Sequence, residues 1–226
     1  MRLDRLVGKW LGAGKKRTRE AFEAGEVQLN GKVIFKGDLQ VGHFDRVEYR
    51  GRPVQDRIRR VVMMNKPSGV VSATKDEEHR TVLDMIAEPW AKELHLAGRL
   101  DRFTTGLMIL TNDSRVSESL TEPGRKVGKR YRVEVDGEIG DRVVEEFERG
   151  MWFAKEGVMT APAVVEMLDL RSCRLTIYEG KHHQVKRMFA RFELKVTSLH
   201  REAIGEIELP GDLGPGEWRE LRAVGA

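Results

Sequence analysis

The chain has 226 residues, 40% of them hydrophobic and 34% charged, and its formal net charge is +4. These values exclude a disordered chain and allow one solid core with a smaller appended module. The single cysteine, Cys173, excludes an internal disulfide and a multi-cysteine metal site. Because no apolar run approaches about 18 residues and no signal peptide opens the chain, we expect a cytoplasmic protein that does not contact membranes.

Positive charge is concentrated at the amino end. Residues 1–60 carry 15 Lys and Arg against 8 Asp and Glu, a balance of +7, whereas residues 61–226 carry 25 against 28, a balance of −3. A basic arm on a near-neutral body favours phosphate binding, although a solvated helical face is the alternative interpretation. The predicted nucleic-acid-binding cations of this arm are Arg2, Arg5, Lys15, Lys16, Arg17 and Arg19.

The first 60 residues contain signals for two short helices and a hairpin. Leu3, Leu6, Val7, Trp10 and Leu11 recur at helical spacing, and Gly12-Ala13-Gly14 separates them from a second helix that stops at Gly25. Asn30-Gly31, between the alternating pairs Val27/Leu29 and Val33/Phe35, predicts a hairpin. Val47 and Tyr49 predict a further strand, and the polar stretch 51–60 is interpreted as a linker.

This order of basic helices, Asn-Gly hairpin and final strand resembles the alpha-L RNA-binding domain of a ribosomal small-subunit protein and of several RNA enzymes. The resemblance implies an RNA-binding domain over residues 1–57. It assigns no base contact to any residue.

Strand and helix signals mix beyond the linker without a strict β-α-β rhythm. Residues 61–64, 107–110, 131–135 and 175–178 predict strands, Asp141 is expected to cap a helix that runs to Gly150, and Val185, Met188, Phe189 and Phe192 form a helical stripe. We therefore predict an α+β domain over residues 58–226 with a mostly antiparallel sheet.

The most informative stretch is the polar loop Gly98–Leu107, which leads into a buried strand. Loops held by rigid strands often carry catalytic groups. Arg99 and Arg102 flank Asp101, so its carboxylate is expected to stay ionised, as a nucleophile or base requires. From the residues alone, a surface ion pair is the alternative interpretation.

The pattern H-x-x-G-R-L-D-x-x-T-x-G-L, which begins at His95, resembles the signature of the ribosomal RNA pseudouridine synthases. Four further segments and the chain ending agree with that family: residues 65–69, 129–131, 179–189, 199–205 and 213–219. With the N-terminal domain, the resemblance spans nearly the whole chain. It implies a mixed but mostly antiparallel catalytic domain that isomerises uridine without a cofactor.

The resemblance also implies three catalytic residues. Asp101 is the nucleophile, which either captures the anomeric carbon or removes the 2′ proton of the ribose, and the sequence leaves both routes open. Tyr131 stacks on the target uracil and helps to deprotonate carbon 5. Lys186 pairs with Asp101, although the adjacent Arg187 is an alternative. A uridine in folded RNA must flip out of its stack to reach them.

Several other residues are predicted to support the site or bind substrate. Arg99 is expected to orient the Asp101 loop, and Phe103 either fills part of the pocket or belongs to the core. His183 and Gln184 are assigned to an RNA-facing loop, because adjacent histidines without a third spaced ligand make a poor zinc site. The supporting set comprises Arg99, Arg102, Phe103, Lys66, His183, Gln184 and Arg187, and no metal is predicted.

Two other functional classes compete with this hypothesis. A non-catalytic RNA-binding protein has no need of an aspartate set between arginines, and a carboxylate-dependent glycosidase would lack its partner carboxylate. Within the synthases, the motifs most resemble the members that modify 16S ribosomal RNA, while sister enzymes modify 23S RNA. We expect a monomer that acts on ribosomal RNA or on a ribosomal assembly intermediate.

Overall fold

The computed structural model describes residues 1–221. The chain divides into two compact units, one formed by Met1–Arg59 and one that begins at Arg60. The division falls two residues after the boundary expected from the sequence. Residues 222–226, the end of the predicted catalytic domain, lie outside the described residues.

The first unit packs two helices against a four-stranded sheet of order β2-β1-β3-β4. Its core includes Leu3, Val7, Phe22 and Val27. The elements are α1 (Leu3–Leu11), α2 (Lys15–Glu23), β1 (Val27–Leu29), β2 (Lys32–Val33), β3 (Val47–Tyr49) and β4 (Arg52–Gln55).

The predicted hairpin is confirmed, because Leu29 pairs with Lys32 across the Asn30-Gly31 turn. The predicted linker is wrong in part, since β4 pairs antiparallel with β3. Arg50 and Gly51 both have positive φ, which is the conformation of a tight hairpin turn. The second hairpin, formed by β3 and β4, was not predicted because the sequence of β4 is mostly polar.

Two apolar residues of the predicted patterns in this unit lie outside its core. Trp10 is 43% exposed and lies against Tyr49 with ring centroids 6.0 Å apart, so it does not belong to the buried stripe. Strand β2 ends at Val33, and Phe35 is 63% exposed.

The described part of the second unit, residues 60–221, contains three α-helices and a large sheet. Short 3-10 turns occur at Leu83–Met85, Pro89–Glu93 and Pro123–Arg125. The longer elements are β5 (Val61–Lys66), β6 (His95–Leu96), β7 (Thr105–Thr111), α3 (Ser114–Thr121), β8 (Lys129–Val135), α4 (Asp141–Arg149), β9 (Trp152–Phe153), β10 (Val158–Met159), β11 (Val164–Asp169), β12 (Ser172–Ile177), α5 (Gln184–Ala190), β13 (Val196–Ile204), β14 (Ile207–Glu208) and β15 (Trp218–Glu220).

The main sheet has nine strands and a mixed but mostly antiparallel arrangement. Its order is β11-β12-β8-β13-β7-β5-β15, while β14 pairs with β13 and β6 with β7. Strands β13 and β7 run parallel, and the other pairs are antiparallel. The predicted fold class, α+β with a mostly antiparallel sheet, is confirmed.

Apolar clusters cover both faces of β5 and β7. Val62 and Met64 join one cluster, whereas Val61 and Met63 join the other. Side chains alternate between the faces of a strand, so two covered faces require an unbroken apolar run. Strand β8 instead alternates: Tyr131 and Val133 are buried, and Arg132 is exposed.

Two helix ends differ from the prediction. Gly140 is the N-cap of α4 and Asp141 is its first residue, where a carboxylate favours the positive end of the helix dipole. Helix α5 ends at Ala190, so Phe192 follows the helix and packs against the core from the next turn. Within residues 1–221, no helix combines the length and apolar content needed to traverse a bilayer.

Candidate active site

Asp101 lies on a tight turn just before β7. The backbone amide of Thr104 donates to the Asp101 carbonyl at 3.0 Å. Buried Ser72 holds the preceding residue, because its hydroxyl donates to the Leu100 carbonyl at 2.7 Å and accepts from the Leu100 amide at 3.1 Å. The loop that carries Asp101 is thus fixed on its N-terminal side.

Lys66 fixes the other side of the Asp101 loop. Its side chain is fully buried, and its Nζ donates to the carbonyls of Pro67, Arg102 and Thr104 at 3.1, 3.0 and 2.9 Å. Burial lowers the pKa of Lys66 to about 8, against the opposing effect of the Asp101 charge. Three acceptors match the three donors of an ammonium group, so Lys66 acts as a clamp within the fold.

Strand β7 approaches β13 very closely behind this loop. Gly106 has a φ of +103°, and a Cβ atom there would lie 2.3 Å from the Arg201 carbonyl oxygen. Only glycine permits this contact. The parallel register pairs Gly106 with Arg201 and Thr105 with His200, which brings β13 to the Asp101 loop.

Lys186 and His183 are the partners of the Asp101 carboxylate. Lys186 Nζ donates to Oδ2 at 2.9 Å, and His183 Nε2 lies 3.3 Å from Oδ1. Among the described residues, neither Arg99 nor Arg102 forms an ion pair with Asp101, contrary to the expectation from sequence. Arg99 is exposed at the cleft rim, and Arg102 bonds to the Gly69 carbonyl and to His79.

The alternative between Lys186 and Arg187 is decided by the direction of each side chain. Arg187 forms two hydrogen bonds to the Glu156 carboxylate, at 2.7 and 2.8 Å, and stacks over Phe153 at 3.9 Å. The Arg187 guanidinium lowers the pKa of Glu156 through these bonds. Consecutive helical residues point about 100° apart, so only Lys186 faces Asp101.

Gln184 holds the loop that precedes α5. It is buried, its amide donates to Glu179 at 2.8 Å, and its carbonyl oxygen accepts from the Lys181 backbone at 3.0 Å. Lys181 also pairs with Glu179 at 2.9 Å. Gln184 therefore orders the segment that presents His183.

A cleft of about 530 Å³ opens beside Asp101. Tyr131 lines it and is 7% exposed, and its hydroxyl forms no hydrogen bond with any residue among 1–221. Phe103 is 68% exposed and does not line this cleft, so neither role weighed for it matches its position. The volume is within the range of small-molecule sites.

The segments that carry Asp101, Tyr131 and Lys186 fall within a known family pattern. The sequence model of a family described as RNA pseudouridylate synthase matches residues 60–191. The chain belongs to this family.

Proteins similar over the full length extend the family match beyond the motifs. The ribosomal small subunit pseudouridine synthase A of Pseudomonas aeruginosa is 43% identical over 224 residues, which cover 99% of this chain and 97% of that protein. The protein of the same name from Escherichia coli is 40% identical over 222 residues, 98% and 96% of the two chains. A pseudouridylate synthase crystal structure superposes with a TM-score of 0.70 at 33% identity, covering 98% and 96%.

Two cleft residues received no role from the sequence although their motifs belong to the family pattern. Lys129 and Arg201 both line the cleft. Burial lowers the pKa of Lys129, and the Arg201 charge lowers it further. Arg201 lies in β13, a strand of partly polar composition, so its own segment does not indicate a functional role. The family motif Leu199-His200-Arg201 is the signal that could have identified it.

Other predicted residues lie on the surface of the first unit. All six cations of the proposed arm are exposed. Arg2 pairs with Asp4 at 2.7 Å and Arg19 with Glu23 at 3.3 Å. A groove of about 950 Å³ is lined by Arg2, Arg5, Lys15 and Arg19, but not by Lys16 and Arg17.

Acidic, histidine and cysteine side chains do not form a metal site in the part of the chain that the structure describes. No group of three or more of these residues is arranged to hold an ion.

Proposed function

We propose that this chain isomerises a uridine of bacterial small-subunit (16S) ribosomal RNA to pseudouridine, with Asp101 as nucleophile. The observation that carries this proposal is the Asp101–Lys186 pair at 2.9 Å beside buried Tyr131, in a chain that matches small-subunit synthases over its full length. The fixed carboxylate is the group that the chemistry requires.

The reaction breaks the bond between uracil N1 and ribose C1′, turns the base and rejoins it through C5. The Asp101 carboxylate either attacks C1′ or removes the 2′ proton, and both routes need its ionised form. Lys186 holds Oδ2 of this carboxylate in place through a charged hydrogen bond. Neither route requires a cofactor or a metal.

Tyr131 is proposed to stack on the uracil and to assist removal of the C5 proton. Its hydroxyl is uncommitted within the described chain, and its ring forms part of the cleft wall. The cleft volume of about 530 Å³ accommodates one nucleoside, which supports flipping of the target base out of the RNA stack.

The first unit is proposed to anchor RNA as an alpha-L domain, with residues from position 58 onward forming the catalytic domain. The exposed cations Lys15, Lys16, Arg17 and Arg19 follow one another at the start of α2. Cations that neutralise phosphates release the counterions of the RNA, which favours binding. Because every nucleotide carries the same phosphate, such binding is independent of base sequence.

The proposed partner is small-subunit ribosomal RNA, either free or in an assembly intermediate, in the cytoplasm. The names of the full-length relatives support the small subunit over the large one. Asp101, Lys186 and Tyr131 all come from one chain, which supports a monomer as the active form. The same three residues argue against a protein that only binds RNA.

Mapping pseudouridines in a deletion strain tests the proposal. We expect one site to disappear from 16S RNA, to return with the wild-type gene and to stay absent with Asp101→Asn. Loss of a site from 23S RNA instead would transfer the activity to the large subunit. Unchanged pseudouridines in both RNAs would reject the enzymatic function.

A further inference from the structure

Arg201 is a buried cation with an unused hydrogen-bond donor at the catalytic cleft. Its side chain is 1% exposed and lines the cleft, and its Nε donates to the Leu107 carbonyl at 2.7 Å. Its Nη2 is also buried, but it has no hydrogen-bond partner within residues 1–221. Buried charges are normally paired because desolvation is costly, so this arginine calls for an anionic or polar partner.

The carboxylates near the cleft do not supply that partner. Glu179 pairs with Lys181 at 2.9 Å, and Glu122, 58% exposed in its side chain, pairs with Arg125 at 3.2 Å. Asp101 is held by Lys186. The residues that line the cleft therefore carry an excess of positive charge.

Two other cations reinforce this excess. Burial is the main cause of the lowered pKa of both Lys66 and Lys129, and the charge of Arg201 lowers each pKa further. Lys66 is committed to its three carbonyls, whereas Lys129 lines the cleft and, among residues 1–221, its Nζ donates a hydrogen bond only to the Val127 carbonyl, at 3.3 Å. Among the described residues that are buried or half-buried in the cleft wall, Arg201 and Lys129 are thus available to a ligand.

The register of the sheet places Arg201 beside the proposed uracil platform. Arg201 on β13 is the direct partner of Tyr131 on β8, and side chains of directly opposed residues lie on the same face. Thr104 Oγ1 is a second buried polar atom without a partner in the described chain, and Thr104 also lines this cleft. Two unpartnered polar atoms on residues that line one cleft indicate that a polar group binds there.

Resting on the proposed function, we infer that Arg201, assisted by Lys129, stabilises the negative charge of the uracil while it is detached from the ribose. When the N1–C1′ bond breaks, its electron pair stays on the base, and the uracil becomes an anion with charge on N1 and the carbonyl oxygens. C5 then bonds to C1′, either as the Asp101–C1′ ester bond breaks or as Asp101 returns the proton to C2′ of the glycal. The C5 proton is then removed and N1 is protonated, so the base carries this charge only from cleavage of the N1–C1′ bond until the C5–C1′ bond forms. Fixed cations in a desolvated site stabilise such transient charge strongly.

The dependence of the rate on the leaving group tests this inference. An RNA fragment carries either uridine or 5-fluorouridine at the mapped target position, and loss of that nucleoside is followed in single-turnover reactions. Fluorine stabilises the uracil anion by itself. We expect Arg201→Met to slow uridine roughly 10²-fold but 5-fluorouridine by less than about tenfold, as for removal of one anion-stabilising donor.

Matched variants separate charge stabilisation from structural support. Arg201→Lys retains the charge and should recover most of the rate, and Lys129→Met should show the same leaving-group dependence with a smaller amplitude. Arg132→Met, on the other face of β8 and 54% exposed, should behave as wild type with both RNAs.

The outcomes distinguish the inference from the function on which it rests. Equal slowing of both nucleosides in Arg201→Met would make Arg201 a structural residue and overturn the inference. If that variant does not fold, equal slowing in Lys129→Met has the same meaning. Failure of the wild type to convert uridine would instead reject the proposed function.

Discussion

The first unit and the cleft of the second unit use positive charge in opposite ways. In the first unit, the side chain of Arg19 is 74% exposed and the other arm cations are exposed as well. In the second unit, Lys66 beneath the Asp101 loop and Arg201 at the cleft are 0% and 1% exposed and donate to backbone carbonyls. Exposed charges act over long range and are screened by salt, whereas buried ones act locally in a fixed direction. Affinity and chemistry are therefore expected to respond to different substitutions.

Of the substitutions that separate affinity from chemistry, Asp101→Asn should have the largest effect on the rate. The substitution keeps the shape and removes nucleophilicity, so isomerisation should fall by at least about 10³-fold while RNA affinity stays within a few-fold. Single-turnover rates and RNA titrations measure the two quantities, with exposed Asp56→Asn as control. Turnover near the wild-type rate would remove Asp101 from its role.

Neighbouring residues Lys186 and Arg187 provide a matched pair. Lys186→Met should slow the reaction roughly 10²-fold, because Asp101 loses its charged hydrogen bond. Arg187→Met breaks the ion pair with Glu156 and should change the melting temperature by only a few degrees, with little effect on the rate. A slower reaction in Arg187→Met than in Lys186→Met would reverse the assignment.

Tyr131→Phe separates stacking from proton transfer. The ring keeps its place in the cluster, so RNA affinity should not change, while loss of the hydroxyl should slow product formation by roughly 10- to 10²-fold. The comparison of single-turnover rate with dissociation constant decides the point. Equal turnover of both proteins would leave the ring as a platform only.

Neutralising the arm tests the exposed charges. Replacing Lys15, Lys16, Arg17 and Arg19 by Gln should weaken RNA binding and reduce the salt slope by about 0.9 for each phosphate that is no longer neutralised. The rate at saturating RNA should hardly change. The control removes four exposed cations of the second unit, Lys92, Arg142, Lys155 and Lys195. Equal slopes for both quadruple variants would make the arm an ordinary solvated surface.

The smallest effect concerns Lys66 and pH. Burial lowers its folded-state pKa to about 8, below its ordinary value of 10.5. Between these values the unfolded chain binds more protons, so the contribution of Lys66 to stability rises with pH and is constant below about 8. The free energy of unfolding of the wild type relative to Lys66→Met should therefore increase from pH 8 to pH 10. A constant difference would contradict the buried ammonium clamp.

Local patterns were sufficient for many elements and insufficient for side-chain partners. The Asn30-Gly31 hairpin and the alternation of Tyr131, Val133 and Val135 follow from turn geometry and from strand periodicity, which act between near neighbours in sequence. Strand β4 was missed because its edge position leaves a polar strand without an apolar pattern. Arginines beside Asp101 were assigned to it by proximity in sequence, but their side chains leave the turn in other directions.

The sequence by itself determined the α+β class, the basic amino end and the loop on which Asp101 stands, since composition, periodicity and motif are local properties. Only the tertiary structure decided that Lys186, 85 positions away, reaches Asp101 while Arg187 turns to Glu156. It also decided that Arg201 lies buried at the cleft, because the close passage of β13 over Gly106 is a contact between distant segments. Such contacts depend on strand order and register, and a single sequence carries no local signal for either.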